Sequence, residues 1–192
     1  MKRLRLLVCT TALLLASAGE SHQPATLDDV RVVEKPTISH ALYGALSEEV
    51  PVLEIKMDFE QAFAMPFELL VPHKSEFQNF RPMMAVVAPG LPPPNATESD
   101  LLQAAGIEIP DGVGVYVDQN DDEERLVIFE SFTRRVFWSS GPIALAVAAG
   151  TTQIFVWSPE GETGAITVGF GVEEDFSDGF GKVFEDWSRY AY

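Results

Sequence analysis

An acidic run between two apolar segments holds the residues best suited to binding a metal ion. Asp118, Asn120 and Asp122 stand at alternate positions, and Glu124 follows two residues later. Carboxylate and amide oxygens at this spacing can wrap a Ca²⁺ ion, which takes about six to eight oxygen ligands. An EF-hand is excluded, because the run lacks the Gly and Glu required at its sixth and twelfth positions. The run therefore predicts either a calcium site or a solvated acidic loop.

Three aromatic residues are candidates for ligand binding, namely Tyr116, Trp138 and Trp157. Aromatic rings on the surface of a β-sandwich can stack against sugars, so carbohydrate is one predicted partner. The alternative is that these rings fill the core, since aromatic residues on strands bury a large apolar area.

No catalytic residue can be assigned from the sequence. The three histidines, His22, His40 and His73, form no HExxH pattern, and no GxSxG motif occurs. With 29 acidic residues in the chain, a glycosidase carboxylate pair cannot be distinguished from the rest. A non-enzymatic protein is therefore the first hypothesis, and a secreted glycan-acting hydrolase is the alternative.

The N-terminus has the three parts of a secretory signal peptide. Lys2, Arg3 and Arg5 are followed by a mainly apolar stretch to Leu15 and by the small residues Ala16, Ser17 and Ala18. This pattern predicts a signal peptide over residues 1–18, cleaved near Ala18, and a secreted or periplasmic protein. Cleavage would also remove Cys9, the single cysteine, so no disulfide is expected.

The chain is strongly acidic, with a formal net charge of −16. Loss of residues 1–18 removes three of the 13 basic residues and none of the 29 acidic ones. Nucleic acid and anionic membranes attract basic patches, so neither is an expected partner. No later apolar run is long enough to span a bilayer. The expected partners are a carbohydrate or another envelope protein, with Ca²⁺ as the one candidate cofactor.

The elements that must position these residues are predicted to be strands. Residues 52–59 alternate, with Leu53, Ile55 and Met57 on one face and charged residues on the other, which is typical of a half-buried strand. Similar segments recur about every 8–12 residues with turn formers between them. The sequence predicts an all-β protein, a two-sheet antiparallel sandwich of the jelly-roll type.

Two hairpins are predicted within this sandwich. In the first, the apolar runs 154–157 and 165–170 flank a segment rich in turn formers, 158–164. In the second, the acidic run is the tip between strands at 113–117 and 126–129.

The remaining segments define the domain organisation. Residues 19–37 are predicted to be a polar leader with a short strand at 30–33, and residues 38–192 a single domain. A proline-rich loop at 88–111 is expected to carry a short helix with Thr97 or Ser99 as its N-cap. Aromatic residues at three- and four-residue spacing predict a C-terminal amphipathic helix over about 179–189. A structural envelope protein that docks through this tail is a further functional alternative.

The segment from Ala149 to Trp157, followed by Gly164 to Val168, resembles the last hairpin of bacterial pre-peptidase C-terminal domains. Residues 38–59 are similar to their opening pair of strands. The proline-rich loop and the aromatic tail depart from the pattern of that family. The resemblance implies an exported β-sandwich accessory domain, and it implies no catalytic residues.

Overall fold

The computed structural model describes residues 23–120, 125–130 and 134–175. The predicted signal peptide and the predicted C-terminal helix lie outside these ranges. Within the described ranges no helix is long and apolar enough to cross a membrane. In chain order the strands are β1 (Gln23–Leu27), β2 (Val30–Val33), β3 (His40–Leu46), β4 (Val52–Phe59), β5 (Phe63–Pro72), β6 (Met83–Ala88), β7 (Gly114–Asp118), β8 (Leu126–Glu130), β9 (Arg135–Ser139), β10 (Ile143–Val147), β11 (Gly150–Trp157) and β12 (Gly164–Phe170).

These strands form two sheets. Sheet A has seven strands in the order β1-β3-β12-β5-β9-β8, and β10 pairs with the first half of the long strand β5. Sheet B has five strands in the order β2-β4-β11-β6-β7. One large apolar cluster lies between the sheets and draws on both, with residues such as Ile55 and Ile154 from sheet B and Phe67 and Val168 from sheet A. The predicted two-sheet β-sandwich is confirmed.

The segment that the sequence predicted to be a polar leader contributes one edge strand to each sheet. The strand β1 pairs with β3, and β2 pairs with β4. Both pairs are parallel, so the sheets are mixed rather than purely antiparallel as predicted. The cause is the order of the chain, which alternates between the sheets over its first strands. Each short connection reverses the chain, so strands two apart run in the same direction.

Sheet B is covered on both faces. Its outer face forms a second apolar cluster in which Phe155 and Trp157 pack with Leu102 of helix α1 (Ala96–Ala104). Asn95 is the N-cap of this helix, and its side chain completes a capping box with Glu98. The predicted caps, Thr97 and Ser99, were wrong, because the helix begins before both of them and the Asn95 side chain accepts the hydrogen bond from the Glu98 backbone.

The first predicted hairpin, formed by the runs on either side of residues 158–163, is wrong. The strand β11 pairs with β4 and β6 in sheet B, whereas β12 pairs with β3 and β5 in sheet A. Both runs are apolar on both faces, so each is buried best as a central strand with a neighbour on either side. The turn formers at 158–163 carry the chain across the sandwich, a distance of about 10 Å between sheets.

The second predicted hairpin is also wrong. The strand β7 pairs with β6 at the edge of sheet B, and β8 pairs with β9 at the edge of sheet A. The acidic run therefore belongs to a connection between sheets rather than to a hairpin tip. Alternation identifies strands but not their partners, because pairing is decided by packing between distant segments.

Two glycines at the start of β7, Gly112 just before it and Gly114 as its first residue, allow a test of how the proline-rich loop packs against this strand. A Cβ on Gly114 would lie 2.0 Å from the carbonyl oxygen of Leu91, whereas one on Gly112 would meet nothing within 4 Å. Gly112 has a positive φ of 77°. We expect Gly114→Ala to lower the free energy of unfolding by about 3 kcal/mol, because backbone must move. Gly112→Ala should cost only about 1 kcal/mol from the left-handed backbone.

Urea unfolding of the two variants measures this difference. Equal losses of stability would show that the loop does not pack against β7 as described.

Candidate functional site

Asp118 connects the two sheets at one edge of the sandwich. It is the last residue of β7 in sheet B, and its Oδ2 accepts a hydrogen bond from Ser140 Oγ at 2.5 Å. Ser140 directly follows β9 of sheet A. The carboxylate of Asp118 is therefore fixed in position by a residue from the opposite sheet.

Asn120 is held next to Asp118 and is the most unusual residue of this edge. Its backbone has a positive φ of 48°, and its amide nitrogen donates to Asp118 Oδ1 at 3.0 Å. Its side-chain Nδ2 donates to the carbonyl oxygen of Pro82 at 3.1 Å. The side chain is only 6% exposed, yet its Oδ1 accepts no hydrogen bond from any residue that the structure describes. Most buried polar oxygens in folded proteins have a hydrogen-bond partner, and a water molecule or a cation can take that place.

Two of the four predicted calcium ligands are in contact, through a hydrogen bond from the Asn120 backbone to the Asp118 carboxylate. Asp118 and Asn120 are adjacent, and Asp122 and Glu124 lie outside the described residues. Among the residues that are described, no three His, Cys, Asp or Glu side chains are grouped closely enough to hold a metal ion. Calcium binding stays a prediction, and the chemistry of the two oxygen donors fits this ion.

Trp138, the predicted sugar-stacking residue of β9, is covered by two neighbouring side chains. The guanidinium carbon of Arg125 lies 4.1 Å from the centre of its ring, and the imidazole of His73 lies 4.4 Å away. Arg125 also donates to the carbonyl oxygens of Gln78 at 2.5 Å and Phe80 at 3.1 Å. These contacts make Trp138 the centre of a cation–π cluster rather than an open stacking surface.

The positive charge of Arg125 is partly shielded from water and lies near a second positive charge. Partial burial, and then the like charge of Arg81, lower the pKa of Arg125 to about 10. Arg81 and Arg125 therefore lie close enough for their like charges to interact.

Tyr116 and Trp157 lie on opposite faces of sheet B. Tyr116 is directly opposite Val86, a residue of the cluster between the sheets, so the two side chains share that face. Trp157 belongs to the cluster on the outer face and is 3% exposed. Burial and the neighbouring charges of Asp118 and then Glu98 raise the pKa of Tyr116. The three predicted aromatic residues do not form one surface, and ligand binding by them stays a prediction.

No sequence pattern places three residues at this edge, namely His73, Arg125 and Ser140. Arg125 is a single basic residue after four acidic ones, and only that contrast could have drawn attention to it. His73 and Ser140 each follow a strand end, and neither belongs to a recognisable motif.

A cavity of about 280 Å³ lies beside β5 and β12, away from this edge. Glu68 and Glu174 are among the residues that line it, and Gly169 leaves its floor open. Glu68 Oε1 accepts a hydrogen bond from Ser139 Oγ at 2.5 Å. Two carboxylates in one cavity are what the glycan-hydrolase alternative requires, and that alternative stays a prediction.

The two sheets define a β-sandwich, and Asp118 lies at one edge of it. Among solved structures, the pre-peptidase C-terminal domain of collagenase from Bacillus anthracis is similar, with a TM-score of 0.42 and 10% sequence identity. The match covers 74% of this chain and 95% of that domain. That collagenase domain belongs to the family that residues 149–157 and 164–168 of this chain resemble in sequence. No family model matches the chain, and no curated protein matches it.

The position of Trp157 can be tested by stability. We expect Trp157→Ala to lower the free energy of unfolding by about 3–5 kcal/mol, because a buried aromatic side chain is removed from under helix α1. Trp138→Ala should cost clearly less, since Trp138 is only partly buried. Urea unfolding measures both values. A Trp157→Ala variant as stable as the parent protein would mean that this residue does not belong to the core.

Proposed function

We propose that this protein is an exported, non-enzymatic β-sandwich module that binds a ligand or partner at the cell envelope, and that Ca²⁺ bound near Asp118 and Asn120 assists this binding. The observation that carries the proposal is the buried Oδ1 of Asn120, which has no hydrogen-bond donor among the described residues. The three-part pattern of residues 1–18 supports export.

The cost of the buried oxygen supports a cation. A buried acceptor without a partner destabilises a protein by about 1–3 kcal/mol. Asn120 is nevertheless fixed at this position by two hydrogen bonds, one to Asp118 and one to Pro82. A bound Ca²⁺ would be coordinated by the free oxygen, and the negative charge of Asp118 would favour the ion.

The position of this site supports a role in binding. The chain between β7 and β8 crosses from sheet B to sheet A, and Asp118 is at its start. A cation at this point would stabilise the crossing next to Trp138, which lies two residues before Ser140, the partner of Asp118. Calcium would then organise the surface around the Trp138–Arg125 cluster without taking part in chemistry. The sequence contains no catalytic motif, so the proposed role is recognition alone.

Calcium should raise the thermal stability of the protein. A ligand that binds only the folded state at a hundredfold excess over Kd adds about 2.7 kcal/mol. For a domain of this size that corresponds to a rise in Tm of about 5–10 °C. We expect this rise when millimolar Ca²⁺ replaces EDTA. It should be absent in an Asp118→Asn/Asp122→Asn variant, which keeps hydrogen-bonding side chains but loses two carboxylates.

A matched control is Asp58→Asn. Asp58 is an exposed carboxylate of β4 that also accepts a hydrogen bond from a hydroxyl, that of Thr151 at 2.6 Å. This variant should keep the calcium response of the parent protein. A Tm of the parent protein that does not change with Ca²⁺ would contradict the calcium site.

A further inference from the structure

A row of side chains crosses the outer face of sheet A. Tyr43 of β3 is directly opposite Thr167 of β12, and Thr167 is directly opposite Leu70 of β5. Their neighbours along each strand belong to the cluster between the sheets, and successive residues of a strand point to opposite faces. The three side chains therefore point away from the core, towards the outside of the sandwich.

These outward-pointing side chains are nevertheless buried. Tyr43, Thr167 and Leu70 are all buried, and Phe137, on the same face of the neighbouring strand β9, is only 2% exposed. On the next strand, β8, Leu126 lies on this face and is 55% exposed. The outer band, defined by the four buried side chains, therefore crosses β3, β12, β5 and β9 and ends before β8.

The layer that covers the outer band is not among the described elements. The four buried side chains belong to neither apolar cluster of the described residues. Helix α1 packs on the outer face of sheet B, on the far side of the sandwich. The short 3₁₀ helix Ser75–Phe77 places Phe77 against the cluster between the sheets. A large side chain on the outer face of a sheet is buried when a further layer packs on it, so a segment outside the described ranges must supply that layer.

The last described residues of the chain lie beside the outer band. After β12, the backbone N–H of Glu173 donates to Thr37 at 2.9 Å, and its carbonyl oxygen accepts from the N–H of Ser39 at 2.8 Å. The carbonyl oxygen of Asp175 accepts a hydrogen bond from the side chain of Gln23 in β1. Residues 176–192 continue from this point. The outer band begins about 13 Å along β3 from this corner, which four residues of extended chain can span.

The sequence of residues 176–192 fits a covering layer. Its apolar residues recur at three- and four-residue spacing, so a helix would carry them all on one side. They are Phe176, Phe180, Val183, Phe184, Trp187 and Tyr190. The predicted helix over about 179–189 would be about 16 Å long, and the band from β3 to β9 spans three strand spacings, or about 14 Å. The segment therefore matches the band in length and in its apolar side.

The other end of the chain is a poorer match. Once the predicted signal peptide is cleaved near Ala18, residues 19–22 are all that precede β1. Four residues make about one helical turn. Their sequence, GESH, offers no apolar side chain to the band.

We propose that residues 176–192 dock on the outer face of sheet A and form a third layer over the outer band. The aromatic stripe of this segment then stabilises the protein's own fold and is withheld from an envelope partner. Recognition is left to other surfaces, such as the edge around Asp118. The docking of this segment does not depend on calcium binding at that edge.

Photo-cross-linking of the full chain tests where the segment lies. With p-benzoylphenylalanine substituted at Trp187, ultraviolet light should join this position to peptides from the outer band, as mass spectrometry of the digested monomer will show. The same substitution at Glu185, on the opposite side of the predicted helix, is the matched control and should give several-fold less of this product. Cross-links from position 187 that avoid the outer band would overturn the proposal.

Hydroxyl-radical footprinting tests whether this segment buries the band. Trp187→Asp places a charge in the middle of the apolar stripe, where burial is costly, so the side chains of the outer band should be oxidised several-fold faster than in the parent protein. Ile154 lies between the sheets and should stay protected, which shows that the sandwich is folded. Glu185→Ala is the control and should leave all rates unchanged. A band that stays equally protected in Trp187→Asp would contradict the docking of this segment.

Two changes to the parent sample separate the other possible covers. The band should stay protected on dilution to nanomolar concentration, because an intramolecular contact does not depend on concentration. It should also stay protected in a chain that lacks residues 1–18. Loss of protection on dilution would identify a second copy as the cover, and loss on removal of residues 1–18 would identify the N-terminal segment. Either result would overturn the proposal.

Discussion

The fold depends on the burial of β11 on both faces and along both edges. Ile154 and Val156 fill the core between the sheets, and Phe155 and Trp157 lie under helix α1 on the outer face. Pairing with β4 and β6 satisfies the backbone on both sides. Because this strand is fully enclosed, the next strand, β12, finds its place in the other sheet, and the turn at 158–163 joins the two sheets.

Much of the secondary structure could be predicted from local patterns, whereas the pairing of the strands could not. Residues 52–59 form a strand with the predicted bounds, and Leu53, Ile55 and Met57 are buried as the alternation indicates. The apolar runs before and after residues 158–163 are also strands. Their partners are far away in the sequence, since Ile154 pairs with Ile55 and Phe170 pairs with His40. A turn-rich segment between two strands fits a hairpin and a crossing between sheets equally well, and only three-dimensional packing separates these possibilities.

The candidate site was predictable to a smaller extent. The alternate spacing of Asp118 and Asn120 identified two residues that are in contact, through a hydrogen bond from the Asn120 backbone to the Asp118 carboxylate. The aromatic residues were a weaker guide, since burial depends on what covers each face of a sheet. Helix α1 covers Trp157, and Arg125 with His73 covers Trp138. The bond from Ser140 to Asp118 follows from the meeting of two sheet edges, which no local pattern contains.

The most direct test of this account is the pattern of interstrand NOEs between backbone protons in solution. The sandwich predicts contacts between β11 and β4 in the register that places Ile154 opposite Ile55, and between β12 and β3 with Val168 opposite Leu42. A hairpin of β11 and β12 would instead place Phe155 opposite Ile166. Contacts of the first kind would establish that the two strands belong to different sheets, and contacts of the second kind would contradict the fold on which the site and the outer band of sheet A depend.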